Sequence, residues 1–379
     1  MANYTGMWGR GAQMQQVAAG SWTGFPYLYS WGFNNQGQLG LGNITNYSSP
    51  KQVGSLTTWL KVAASPYTSF AIKTDGTLWS WSTNSSGQLG LGDRTNRSSP
   101  VQIGALTNWL LATASSYHTL AIKTDGTLWS WGLNGNGQLG LGNLTSYSSP
   151  VQVGSLTTWS KLAVGPYHSL AVKTDGTLWA WGDNTYGQLG TSNATQYASP
   201  KQVGVLTNWL NIVGGYNCSY AIKTDGTLWS WGNNQYGNLG LGTNGPGTYK
   251  SSPTQIGALT TWSQVTANIS NSALVCVIKT DGTLWVWGNN SAGQLGLNNT
   301  NNYSSPKQVG SLTNWSYVSS VGPNPAAIKT DGTLWAWGAG GYGQLGLGNT
   351  TNYSSPKQVG SSSQWKTVNS CRFVLAIGV

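Results

Sequence analysis

A pair of tryptophans one residue apart returns along this chain at a nearly fixed interval. Its second member stands at Trp31, Trp81, Trp131, Trp181, Trp231, Trp287 and Trp337, so the step is 50 residues five times and 56 once. Tyr29 replaces the first Trp in the first copy. Six copies of Lys-Thr-Asp-Gly-Thr-Leu-Trp, beginning at Lys73, Lys123, Lys173, Lys223, Lys279 and Lys329, keep the same register. Each pair is followed by a Gly-rich stretch close to GQLGLG, then Ser-Pro, then Gln-Val/Ile-Gly, then a lone Trp. A repeat of this size is one supersecondary unit that buries its apolar face only by stacking on its neighbours.

Each unit reads as four short strands. In one copy these are Trp59–Ala64, Thr68–Lys73, Thr77–Trp81 and Pro100–Ile103. Asp75-Gly76 between the second and third is a tight turn, because Gly takes positive φ at no steric cost. Trp79 and Trp81 are two apart and share one strand face. Pro100 at the start of the fourth strand fits an outer edge, where no ladder N–H is missed. Seven such units predict an all-β fold, a seven-bladed β-propeller with four antiparallel strands per blade. The six extra residues of the long step fall three within Thr243–Ser252 and three between Trp262 and Ile278.

Counting strands also predicts how the ring closes. The chain enters its first blade at a third strand, near Tyr27–Trp31, and supplies the missing first and second strands at Trp365–Ser370 and Arg372–Val379. One closing blade, from residues 27–54 and 365–379, is then sewn from both termini, which leaves no open sheet edge. Residues 27–379 form one propeller, and residues 1–26 are surplus as an N-terminal arm or an extra strand around Gln16-Val17-Ala18-Ala19. Met7, Trp8 and Trp22 make that arm a candidate contact for a neighbouring subunit, since large apolar side chains are a liability when left exposed.

The chemistry available is narrow. The chain has no Glu, eight Asp and two His, which argues against most hydrolase and transferase mechanisms and for no enzyme activity. His118, His168 and Cys218 occupy one repeat position in successive units, which reads as packing and hydrogen bonding rather than metal ligation. Cys218, Cys276 and Cys371 are too dispersed for a disulfide framework or a zinc site. Asp93 and Asp183 lie in different units, and GQLGLG lacks the strand–helix context of a nucleotide loop. No cofactor and no metal is expected. The formal charge is +10, but six Lys and six Asp sit in the KTDG turns and cancel, and the other cations are scattered. That pattern gives no specific nucleic-acid site. No apolar h-region stands at the N-terminus and no apolar run approaches the roughly 18 residues of a membrane span, so neither secretion nor membrane insertion is expected.

The repeats resemble the regulator of chromosome condensation repeat family. The likeness is carried by Tyr117-His118-Thr119-Leu120-Ala121, Asp125-Gly126, Leu128-Trp129-Ser130-Trp131-Gly132, and then Asn134, Gly137, Leu139 and Gly140, seven times in register over residues 27–379. The resemblance implies a seven-bladed propeller that acts mostly through protein contacts. The founding member is an exchange factor for a small GTPase that also binds chromatin, a role that does not transfer residue by residue. This chain lacks the basic tail that such a role would bring. A plant ultraviolet-B photoreceptor of the family pairs its Trp cluster with many Arg and acidic residues, whereas this chain has four Arg and no Glu. The phrases KTDGTLWSWG, GQLGLGN and SSPxQVG look like the variants encoded by bacteriophages, which are taken to be virion components.

In an up-and-down blade the first-to-second and third-to-fourth connections share one side, and the KTDG turns lie on the other. The KTDG side is nearly monotonous. The opposite loop face varies: Tyr67, Tyr117, Tyr167 and Tyr216 come from the short connections, and Tyr47, Tyr147, Tyr197, Tyr303 and Tyr353 stand three residues before the blade Pro. Arg97 and Lys250 replace Tyr at that second position, with Arg94 nearby. Tyr and Arg are enriched at interfaces. The expectation is therefore a structural and interaction propeller in a phage virion, made in the host cytoplasm and contacting other virion proteins or a host-surface receptor. A glycan-binding lectin is the first alternative. A protein-inhibitor propeller, like the secreted β-lactamase inhibitor of the family, is the second.

Overall fold

Strand Leu78–Ser82 buries Trp81 completely, and what Trp81 meets decides how the blades stack. Its indole Nε1 donates to the carbonyl of Gln38, in the preceding blade, at 2.8 Å. The ring lies flat on Gly40, where a Cβ would come within 2.8 Å of Nε1. The same bond recurs from Trp131 to Gln88, Trp181 to Gln138, Trp231 to Gln188, Trp287 to Asn238 and Trp337 to Gln294. The GQLG stretch is thus a latch: its Gly residues let the backbone approach, and its second residue accepts the neighbour's indole.

The computed structural model describes residues 26–270 and 273–378. They form seven four-stranded antiparallel sheets. In the first complete blade the order is Trp59–Ala64, Thr68–Lys73, Leu78–Ser82 and Arg97–Gln102. The strands that begin at a lone Trp contact one another across neighbouring blades, so they line the centre, and the Ser-Pro strands lie outermost. The fourth strand begins three residues earlier than its sequence signal. Pro100 sits inside it rather than at its start, because the register slips between Ser80 and Ser82 and the Pro lies on the outer edge. That slip puts the last residue of the third strand at positive φ. Gly fills the place in the other blades, but Ser82 holds φ 94° there, a strained conformation for a residue with a Cβ.

Closure follows the strand count. Tyr27–Gly32 pairs with Phe373–Gly378 through six registered rungs, from Tyr27↔Gly378 to Gly32↔Phe373. Trp365–Ser370 and Tyr47–Gln52 complete that sheet. Trp31 Nε1 donates to Gln344 at 3.1 Å, so the seventh latch joins the two ends of the chain.

Candidate interaction faces

The strand register fixes two faces. Thr68 opposes Ser82 and Ser82 opposes Arg97, so the short connections and the GQLG loops emerge together. Lys73 opposes Trp59 at the other end, with the KTDG turns.

On the loop face, Tyr67, Tyr117 and Tyr167 hold the same turn position: the carbonyl of each accepts from the first residue after the third strand, at 2.9–3.0 Å. Tyr216 does not. Asn217, at φ 55°, takes that place, and Tyr216 stands one residue earlier. In the closing blade the position belongs to Arg372, whose guanidinium lies 5.6 Å from the centre of the Tyr67 ring. Tyr117 and Tyr167 stack with centroids 5.4 Å apart and 12° between planes. Burial, together with the bond to Tyr117, pushes the Tyr167 hydroxyl up to about 12. Five consecutive blades thus give the mouth an arc of Arg372, Tyr67, Tyr117, Tyr167 and Tyr216. In the last two blades the position belongs to Ala273 and Pro323, whose carbonyls accept from Asn289 N at 3.2 Å and Ala339 N at 3.4 Å.

The outer tyrosines brace their own loops. Tyr47, Tyr147, Tyr197, Tyr303 and Tyr353 each accept from the Asn four residues earlier through the phenol oxygen, at 3.2–3.4 Å. Arg97 copies that contact with charge, pairing Nη2 with Asp93 Oδ2 at 2.6 Å and donating Nη1 to the carbonyl of Thr95. Arg94 and Lys250 are exposed beside these loops. Tyr186, Tyr249 and Tyr342, 39%, 54% and 47% exposed, also face out here. Sequence reasoning passed over them, although Tyr186 and Tyr342 directly precede the Gly of the latch. Met7, Trp8 and Trp22 lie outside the described residues.

The KTDG face has a different logic. Asp75 Oδ1 accepts from the backbone N–H and the hydroxyl of Thr77, at 2.9 and 2.7 Å, and Thr77 Oγ1 accepts from Trp79 Nε1. The Thr77 bonds hold the carboxyl below its usual range. Lys73 folds inward: its Nζ is 3.7 Å from the centre of the Trp79 ring and 5.1 Å from that of Trp59. All six repeats build this sandwich, in which an ammonium meets the negative faces of two indoles. Nothing in the sequence pattern alone announced it. Each Lys/Asp pair therefore cancels in the sum of charges but not in space.

Among the described residues, no three His, Cys, Asp or Glu come together as metal ligands. The Cys218 thiol is pushed up to about 11 by burial, and those of Cys276 and Cys371 to about 12, far from a reactive thiolate. Lys61 and Lys161 are pushed down to about 8 by burial on the central strands, where each donates to a carbonyl of the next blade, that of Leu110 and Leu210. These buried groups brace neighbouring blades.

The described residues form a closed seven-bladed propeller with two unlike faces. The regulator of chromosome condensation repeat model matches residues 27–72, 75–122, 125–172, 175–222, 225–274, 281–321 and 331–372, and the chain belongs to that family. A second model of the same repeat matches residues 59–88, 159–188 and 210–238. Among solved structures the chain is similar to Prp20p of Saccharomyces cerevisiae, described with its binding to Gsp1p and histones. Identity there is 19%, with 94% of this chain and 92% of that one covered and a TM-score of 0.82. It is similar to yeast RCC1 (Prp20) bound to Kap60, at 19% identity over 100% and 94% and a TM-score of 0.84. It is also similar to human WBSCR16, at 19% identity over 93% and 98% and a TM-score of 0.81. No curated protein sequence matches the chain as a relative.

Proposed function

We propose that this chain is a non-catalytic protein-binding propeller that takes its partner on the loop face, at the arc of Arg372, Tyr67, Tyr117, Tyr167 and Tyr216. The observation that carries this reading is the arc's asymmetry: five blades carry aromatic or cationic side chains at the mouth and two do not. Tyr and Arg are the side chains on which binding energy concentrates. The protein partners named for the yeast neighbours, Gsp1p, histones and Kap60, lend support at the level of class. In the test, Tyr167→Ala with Arg94→Ala weakens partner binding at least tenfold while the melting transition stays cooperative. Unchanged affinity rejects the loop face. Binding to a glycan array that the same pair abolishes reassigns the face to a lectin.

The partner, in our reading, is another virion protein or a host-surface receptor of a bacteriophage. Support comes from the repeat phrases shared with phage-encoded variants and from the scattered cations. Mass spectrometry of purified particles from the source should find the protein at stoichiometric level; its absence rejects the virion placement and leaves the binding face standing.

A further inference from the structure

The connection that carries the chain from one blade to the next crosses the preceding KTDG turn. Trp109 N donates to Gly76 O at 3.1 Å, and a Cβ on Gly76 would lie 2.1 Å from the carbonyl oxygen of Thr107. That contact lays Leu106 one residue from the Asp75 turn. The same contact sets Leu156 by Asp125 and Leu206 by Asp175, and it recurs in the next two blades. These five leucines are 45–47% exposed, and Val205 beside Leu206 is 85% exposed. The arc has defined ends. Ser362 stands where the next leucine would face Asp331, and Leu56 follows the closing blade, whose second and third strands come from opposite ends of the chain with no KTDG turn between them. Five regularly spaced leucines on one face exceed the scatter of single exposed apolar residues that a soluble surface carries.

Charge says what would cover them. Lys73 is 8% exposed between its two indoles, whereas Asp75 stands in an exposed turn. The surface therefore shows the negative half of each pair, while the positive half is buried at Lys73, Lys123, Lys223 and Lys329 and half-buried at Lys173 and Lys279. A protein with formal charge +10 carries here an anionic, leucine-studded arc. We propose that this arc is a docking surface for a cationic protein segment, whose apolar side chains pack between the leucines and whose Lys or Arg meet the carboxylates. A second copy docking through the same arc would set carboxylate against carboxylate, so self-association is disfavoured. The surface is separate from the loop face, and Arg94→Ala leaves it untouched.

The probe is a labelled 15-residue peptide of alternating Leu and Lys, titrated with the full chain by fluorescence anisotropy. Its counterpart with Glu for Lys is the control. The Leu/Lys peptide binds, and weakens as salt is raised, because exposed charge pairs are screened. Leu106→Ser with Leu156→Ser and Leu206→Ser weakens it at least tenfold. Asp75→Asn with Asp125→Asn and Asp175→Asn, which keeps the turn-forming acceptor, removes most of the salt dependence. Ser362→Leu lengthens the arc and tightens binding two- to threefold, a gain that misfolding cannot mimic. Equal binding of the Glu peptide, or wild-type affinity in both triple variants, overturns the proposal. Self-association of the wild type that the Leu triple variant abolishes also overturns it and assigns the arc to a second copy.

Discussion

A chain ending at Gln364 is expected to lose cooperative folding rather than one blade. The missing segment supplies the two strands of the closing sheet nearest the propeller axis, Trp365–Ser370 and Phe373–Gly378. It takes with it the fully or nearly fully buried Val368, Phe373, Val374, Leu375 and Ile377. At about 1.5–3 kcal/mol for each large apolar side chain, that is about 8–15 kcal/mol, the whole stability of a typical domain. The loss spreads in both directions. Tyr29 and Trp31, whose rings lie 5.4 and 5.9 Å from Trp365, lose their cover, and Tyr27–Gly32 exposes the edge it now pairs with Phe373–Gly378. Unpaired edges template intermolecular pairing. Size-exclusion chromatography and thermal unfolding check this: the shortened chain should aggregate and show no sharp transition. A monodisperse, cooperatively melting product would mean that the ring does not depend on its closing blade.

That prediction could be framed from the sequence because the repeat carries its own strand count. Six W-x-W pairs, the Tyr29–Trp31 variant and seven lone Trp residues leave one blade with its halves at opposite ends of the chain. Period-2 placement of Trp79 and Trp81 also made their shared face legible. What the sequence could not show is which partner each ring meets. Trp81 bonds a carbonyl 43 residues away in another blade, and no local rule names Gln38. The fourth strand was misjudged at its start for a related reason. Tyr47, Arg97 and their equivalents rejoin the ladder only after a bulge, and the strand signal read from Pro100 onward missed the three residues before it.

The candidate faces were legible to different depths. Residue type and loop topology placed Tyr67, Tyr117 and Tyr167 on one side, where the structure has them. Arg372 was read as the first residue of the closing blade's second strand, whereas that strand begins at Phe373 and Arg372 belongs to a connection one residue shorter than that after Ala64. The connections that carry Leu106 and Leu156 repeat almost unchanged, so variation between units gave no signal there. Adding Lys73 to Asp75 gave zero, because a sum of formal charges carries no depth. The geometry separates the two groups: one is stacked between indoles and the other stands in water.

Acid is expected to unfold this protein earlier than its carboxylates would require. His118 and His168 are fully buried and bridge consecutive blades through Nε2, to Ser169 Oγ at 2.9 Å and Ser219 Oγ at 3.0 Å. Each of those hydroxyls donates its own proton to a latch carbonyl, Gln138 and Gln188 at 2.8 Å. They can only accept from the rings, so each ring carries a proton on Nε2, and burial favours the neutral form. Burial drives the His118 pKa down to about 3, helped by the neighbouring His168, and drives that of His168 down to about 4. Free His titrates near 6.5. The folded state thus favours the neutral rings. Their contribution is complete above pH 6.5 and shrinks as pH falls through the window down to 4 and 3, because the unfolded chain takes up protons that the fold refuses. At about 1.36 kcal/mol per pH unit for each ring, two rings remove about 5 kcal/mol between pH 6.5 and 4.5. The chain has only these two histidines and no Glu. The turn Asp carboxyls, held below their usual range by the Thr two residues on, add their loss only at still lower pH. Denaturant titrations at pH 7.5 and 4.5 measure the difference directly. Thr is the natural substitute, since Thr68 fills this repeat position in the preceding blade and bridges to Ser115 O at 3.2 Å. His118→Thr with His168→Thr costs stability at pH 7.5 through lost volume but flattens the pH dependence. A double variant that loses as much between the two pH values as the parent would remove the histidines as its cause.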